Sequence, residues 1–419
     1  MARRLGASPP RLEGDGPWST GGGVGPRPLW ASADASAPYA VGRRAGAPHS
    51  AGSAGLRPSR GRLVEAGPAP LYFYALMLYV KELFELADFL KAVGGMAGDA
   101  APEDSADLGE GGVEVECGRS VEVFRVEPAD PPRLWGLDSH SRAMRLEGVD
   151  VHFSPGAAVG SGAVLVPGLA GVKWIAVRFR YRLGGEAPES PALYLRSAYL
   201  GRPFDSTFNE DALRDELRLH VENSIIRALE WDGVLLVDGP IFLTPRVLAM
   251  GDNPYSALYL GLIRDRVSAI GGRRALGVTK RIGASRYLRR CLSPDVDVDD
   301  DTLARRAAKG IEGDVAVGPL RIRAGGREKV CWYLVARLGR QTHVLRVEGL
   351  DEELARRAVE WLPKVLGPDG VPTPIAIADK LSRRLSAAAY SLFWRMSPLD
   401  LTYEGLEELE RAHRELESP

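Results

Sequence analysis

At 419 residues, 45% hydrophobic and 26% charged, the chain can bury one large core or two ordinary ones, and a formal net charge of -1 gives whole-molecule electrostatics no part in recognising nucleic acid. Cys117, Cys291 and Cys331 are widely spaced, with no Cys-x-x-Cys and no close histidine pair, which argues against a disulfide framework or a zinc site and suits a reducing cytoplasm. The longest apolar run, 70–80, is interrupted by Lys81 and falls well short of the roughly 20 residues of a membrane span.

Residues 1–69 are rich in Gly, Ala, Pro, Ser and Arg, contain no Lys and show no helical or strand period, so they are expected to form a disordered low-complexity tail. Three origins fit that composition: a flexible basic arm, an organellar transit peptide, or sequence upstream of a true start such as Met77. The abrupt onset of amphipathic sequence near Leu71 points to the last. The folded domain then runs over 70–419.

Within it, Leu76, Tyr79, Leu83, Leu86, Phe89 and Leu90 predict a helix over 71–93, stopped by Gly94 and Gly95. A strand is predicted over 113–126, and 133–138 is a short apolar run closed by an acid, Asp138, with Ser139 beyond it. Strand-like pieces at 143–153, 163–166 and 173–183, separated by Gly, Ser and Pro, predict an antiparallel meander attached to the Asp138 strand. Leu213, Leu217, Val221, Ile225 and Leu229 then recur every fourth residue and mark the clearest helix, 209–230. It leads into 233–240, Gly-Val-Leu-Leu-Val-Asp-Gly-Pro, a buried strand whose end presents Asp238. A helix at 255–270, a strand at 275–280, strands at 314–322, 330–338 and 342–347, and helices at 352–365, 374–393 and 403–416 complete a mixed α/β layout.

An acid before Gly is a common turn residue, so Asp238 gains meaning only with partners. Two strands ending in Asp138 and Asp238, joined by a helix that carries acids, form the arrangement that two divalent cations require, because carboxylates from separate elements must converge to offset the repulsion between the ions. Oxygen donors suit Mg²⁺ or Mn²⁺. At about 100° per residue, Glu222 lies at the rim of the apolar stripe beside Ile225, Ile226 and Leu229, whereas Glu216 points away and is expected to be solvated. Both could also be plain helix-surface acids.

These segments resemble the NurA-type archaeal DNA end-processing nucleases. The matching pieces are Leu137-Asp138-Ser139, Glu222, Leu236-Val237-Asp238-Gly239-Pro240, Gly277-Val278-Thr279-Lys280-Arg281, and Gly370-Val371-Pro372-Thr373-Pro374-Ile375 with Ala378-Asp379. The resemblance implies an RNase H-like mixed sheet flanked by helices with additional C-terminal helices. It also implies Asp138, Glu222 and Asp238 as ligands of catalytic manganese or magnesium, a homodimer, and a HerA-type hexameric ATPase that feeds DNA ends for resection and double-strand break repair. The last segment departs from the family, which usually has a Tyr eight residues before a His where this chain has Val371 and Asp379. Asp379 is therefore either a fourth catalytic acid or a solvated residue, off the stripe of Ile377, Leu381 and Leu385, in a helix capped by Thr373.

Lys280, Arg281, Arg286, Arg289 and Arg290, with Arg273 and Arg274 upstream, could neutralise DNA phosphates or simply form a solvated face. His140 is close enough to Asp138 in sequence to contribute. The acidic run 295–301 fails as a calcium loop, having Asp300 and Arg306 where Gly and Glu are needed, and reads as a lead-in to a helix. No phosphate-binding Gly-x-x-x-x-Gly-Lys-Ser/Thr or dinucleotide fingerprint is present. The competing readings are a metal-dependent deoxyribonuclease, exonuclease or endonuclease, and a catalytically inactive RNase H-like adaptor that binds DNA and the helicase. An unrelated α/β domain with two ordinary turns is the third.

Overall fold

The computed structural model describes residues 90–91, 114–160, 163–165, 178–181, 195–245, 248, 253–292 and 298–417. Contacts divide the chain into 1–62 and 63–419, and all described residues lie in the second unit. The low-complexity tail and its alternative starts, and the first helix apart from helical Leu90 and Lys91, lie outside the described residues.

Twelve strands are described: β1 Glu114–Arg125, β2 Leu134–Ser139, β3 Arg142–Leu146, β4 Val149–Phe153, β5 Gly156–Gly160, β6 Ala163–Leu165, β7 Arg178–Tyr181, β8 Val234–Asp238, β9 Ala275–Thr279, β10 Val315–Ala324, β11 Arg327–Leu338 and β12 Gln341–Gly349. Seven helices accompany them: α1 Glu210–Ala228, α2 Ser256–Ile270, α3 Tyr287–Leu292, α4 Asp300–Ala307, α5 Glu352–Trp361, α6 Thr373–Met396 and α7 Tyr403–Glu417. Nine strands form one mixed sheet in the order β1-β10-β11-β12-β9-β8-β2-β5-β6. Its centre is parallel, β2 with β8 and β8 with β9, and its flanks are antiparallel. The expected mixed sheet flanked by helices, with added C-terminal helices, is thus the fold.

The meander expected after β2 is instead split. β3, β4 and β7 form a separate three-stranded sheet, because β4 is buried along its whole length and Met144, Val151 and Phe153 pack with Tyr390 and Phe393 of α6 and Leu409 of α7. Only β5 returns to pair with β2.

Side chains alternate along a strand, and at the parallel centre this alternation sorts the chemistry. Leu137, Leu235, Val237 and Ala275 face α1 and α2, packing with Leu217, Val221, Ile225 and Ile263. Val234, Leu236, Leu276 and Val278 face the other way, against Leu354, Ala355 and Ile375 of α5 and α6. Asp138, Asp238 and Lys280 continue this second phase and project on the α6 side, while Ser139 and Thr279 take the first.

Two glycines let other segments approach the strands closely. A Cβ at Gly136 would lie 2.2 Å from the Pro374 carbonyl carbon, and one at Gly277 would lie 2.3 Å from Ile241 N. Gly136 therefore seats the start of α6 directly on β2. Gly239, at φ 111°, supplies the left-handed backbone that turns the chain out of β8.

One cysteine expectation is overturned. Cys117 of β1 and Cys291 of α3 form a disulfide across a sequence separation of 174; β1 lies on the sheet edge and the fold brings α3 against it, a proximity that spacing along the chain does not encode. Cys331 is buried as a free thiol.

Candidate active site

β2 and β8 run parallel with Leu137 opposite Val237, so Asp138 and Asp238 follow at the same level at the strand ends. α6 adds Asp379 from its second turn. Ligand oxygens of Asp138, Asp238 and Asp379 all lie within 4.8 Å of one another. Asp379 is half-buried and stands beside the other two aspartates, the position a fourth acid of the site would take. The buried face of α6 is Ile375, Ala378, Ser382, Leu385 and Ser386, while Ile377 is exposed, so the helix is rotated from its apparent apolar stripe and Asp379 borders the packed face. Thr373 is the first helical residue, not the cap: the N-cap is Pro372, and Thr373 Oγ1 donates to Val365 O at 3.1 Å.

Burial raises the pKa of Asp138 to about 7, with the neighbouring charges of Asp238 and Glu222 adding to the effect and a hydrogen bond from Ser382 opposing it. Ser382 Oγ lies 2.8 Å from Asp138 Oδ2 and 3.0 Å from Asp379 O, bridging two members of the cluster. Burial also raises Asp238, against the hydrogen bond and charge of Lys280, whose Nζ donates to Asp238 Oδ2 at 2.7 Å. Lys280 thus sits at the cluster, as its place at the end of β9 suggested. Asp379 itself pairs with Arg383, 2.8 Å away.

Glu222 is almost fully buried, as its place beside the stripe required, but it faces the opposite side of the sheet. Ser139 Oγ donates to its Oε1 at 2.6 Å, Arg218 Nε donates to the same oxygen at 2.9 Å, and Arg266 binds the other oxygen. Burial would raise its pKa, but the two guanidinium groups outweigh that and hold it low. Arg218 also donates to the Asp238 carbonyl at 3.2 Å, linking the Glu222 cluster to the three aspartates. Glu216 is not solvated: it is buried and accepts hydrogen bonds from Ser197 Oγ and Ala198 N at 2.7 and 2.9 Å. α1 is covered on two sides, by the sheet and by Phe204, Leu258 and Leu262, so it has no single solvent face.

Of the basic residues, Arg281 and Arg290 are exposed, and Arg286 and Arg289 are half-buried. Arg273 does not belong to the cluster, because it sits at the opposite end of β9. Its guanidinium donates to the carbonyls of Ile226, Leu229, Ala269 and Ile270, capping the ends of α1 and α2. His140 is driven down to about 4, chiefly by burial with Arg142 adding to it, and is neutral at ordinary pH. Sequence reasoning missed Ser382, Arg218 and Arg266. Arg218 was detectable, standing four residues before Glu222 on one helix face, whereas Ser382 and Arg266 depend on tertiary packing.

Three convergent carboxylates with oxygen donors alone, answered only in part by Lys280 and Arg383, fit a hard divalent cation. No curated protein sequence matches. Solved structures with similarity include the NurA nuclease from Sulfolobus solfataricus, 14% identical over 72% of this chain and 90% of that one with a TM-score of 0.39. NurA with manganese is 11% identical over 64% and 91%, at 0.37, and NurA bound to dAMP and manganese is 12% identical over 61% and 86%, at 0.34. The NurA domain family matches residues 132–384, a span that takes in β2, β8, β9, the start of α6 and all three clustered aspartates. The chain belongs to the NurA family.

Proposed function

We propose that this NurA-family nuclease hydrolyses phosphodiesters of DNA ends in a reaction dependent on Mn²⁺ or Mg²⁺. The observation that carries the reading is the meeting of Asp138, Asp238 and Asp379 within 4.8 Å. The three carboxylates would hold the metal, in a two-metal arrangement with Asp138 and Asp238 as shared ligands. When bound, the metal supplies Lewis-acid polarisation of a phosphoryl oxygen and acidifies water. Lys280 would place its ammonium on the non-bridging oxygens of the phosphate. Arg281, Arg286, Arg289 and Arg290 would neutralise flanking phosphates.

Glu222 would act as a positioning residue, fixing Ser139 and Arg218 behind the strand ends, with direct ligation requiring it to release a guanidinium group. Asp379 standing within the cluster supports turnover over the inactive adaptor. By family resemblance, the enzyme would work as a homodimer with a HerA-type hexameric ATPase in double-strand break repair. Among the described residues no helix is long and apolar enough to cross a membrane. The direct test is cleavage of linear DNA in Mn²⁺ by Asp238→Asn: a drop of at least about 100-fold is expected, and a near wild-type rate defeats the reading.

A further inference from the structure

At the ends of β8 and β9, on the sheet face opposite the three aspartates, lies a cavity of about 370 Å³. Its lining includes Thr279, Arg281, Arg286, Arg290 and Arg346, with Asp215 as the one carboxylate. Thr279 Oγ1 is buried with no hydrogen-bond partner among the described residues, which costs free energy unless something fills its donor and acceptor capacity.

The walls are pre-set. Asp300 anchors the loop before α3, accepting from the Ser285 hydroxyl, from Tyr287 N at 3.1 Å and from Leu288 N at 2.9 Å. Tyr287 and Thr244 hydroxyls lie 2.6 Å apart, and Arg346 is held by Glu348 and Ser285 at 2.7 Å each. Glu348 is itself shared with buried Lys329, 2.8 Å away, so with Asp300 the charges behind the wall balance. Four arginines and one carboxylate lining a partly enclosed space of this size favour an anion.

Thr279 and Lys280 are neighbours that turn to opposite faces, and Pro240 of the cavity follows Asp238 by two residues. Cavity and aspartates therefore flank the same strand ends on opposite faces of the sheet. We propose that the cavity binds a phosphate of the DNA strand about one or two nucleotides from the scissile linkage, with a terminal phosphate monoester as its preferred occupant because it carries the greater charge. This rests on the nuclease reading for its substrate and on the cavity for its specificity.

The test uses the full chain. Binding of inorganic phosphate is measured by calorimetry without metal for wild type, Thr279→Val, the Arg281→Ala/Arg290→Ala pair and Asp238→Asn, with thermal melts to confirm folding. Cleavage in Mn²⁺ is compared on oligonucleotides ending in 5'-phosphate, 3'-phosphate or hydroxyl alone. Wild type should favour one phosphorylated end by about 10-fold in kcat/KM, and the preferred end identifies the occupant. The arginine pair and Thr279→Val should each reduce phosphate affinity by about 5- to 20-fold, the range of one or two hydrogen bonds to an anion, and level the end preference. Asp238→Asn should lose cleavage but keep phosphate binding; if cleavage survives there while phosphate still binds at the arginines, the nuclease site is misplaced and the cavity stands. Folded Thr279→Val and arginine-pair variants that bind phosphate like wild type, or a wild type indifferent to end chemistry, overturn the proposal.

Discussion

Ser382 Oγ lies 2.8 Å from Asp138 Oδ2, joining the third turn of α6 to the end of β2 across a sheet face that Gly136 keeps open. Its single proton stabilises the ionised carboxylate, and Asp379 O competes for it at 3.0 Å. Ser382→Ala should move the pH midpoint of Mn²⁺ binding upward and weaken affinity several-fold at pH 7, because the lost hydrogen bond favours the protonated acid by about 1 kcal/mol. Calorimetric titration at several pH values checks this.

The raised pKa of Asp138 sets a pH dependence for the metal-free protein. Its value is 3.8 for a free side chain and about 7 in the fold, so between those values the folded state holds a proton that the unfolded state has lost. The stability from this group is full below about pH 4 and disappears as pH rises through about 7. Urea melts in chelator from pH 5 to 8.5 should show a decline of about 2–4 kcal/mol, flattened by Asp138→Asn. Mn²⁺ should stabilise wild type most above pH 7.

Asp379→Asn should cut Mn²⁺-dependent cleavage by about 100-fold and weaken Mn²⁺ binding while leaving the fold intact, since it removes a ligand and a charge from a cluster under repulsion. A solvated acid at that position would leave both unchanged.

Glu222→Ala should behave differently. It strands Arg266, which is fully buried and bound to that carboxylate. A loss of about 3–5 kcal/mol follows for breaking a buried ion pair from one side. Denaturant midpoints measured beside those of Asp238→Asn separate a framework loss from a site-confined one.

The disulfide between Cys117 and Cys291 closes a long loop and should contribute about 3–5 kcal/mol. Melts with and without reductant, and of Cys291→Ser, give the value. Cys331 should not exchange into it, because burial pushes its thiol up to about 12.

The sheet and its acids were legible where one strong pattern governed a segment. Apolar runs closed by Asp138 and Asp238 became β2 and β8, and the fourth-residue stripe of Leu213 to Leu229 became α1. Legibility failed where packing was shared or made by small residues. Ala378, Ser382 and Ser386 seat α6 on the sheet without hydrophobic contrast, so the eye followed Ile377 and misphased Asp379. Glu216 lay on an α1 face covered by a second cluster that no period within the helix reveals. The pairing of Cys117 with Cys291 and the capping role of Arg273 both depend on elements distant in sequence.

The seating of α6 on Gly136 also affects when the enzyme can act. Asp379 reaches the cluster only after the chain has been made through residue 379 and the helix has docked on β2, laid down some 240 residues earlier. A nascent chain on the ribosome, or a fragment cut before α6, would hold at most two of the three acids. Cutting power would therefore arise only in the finished, closed molecule, sparing nucleic acid from partly synthesised copies.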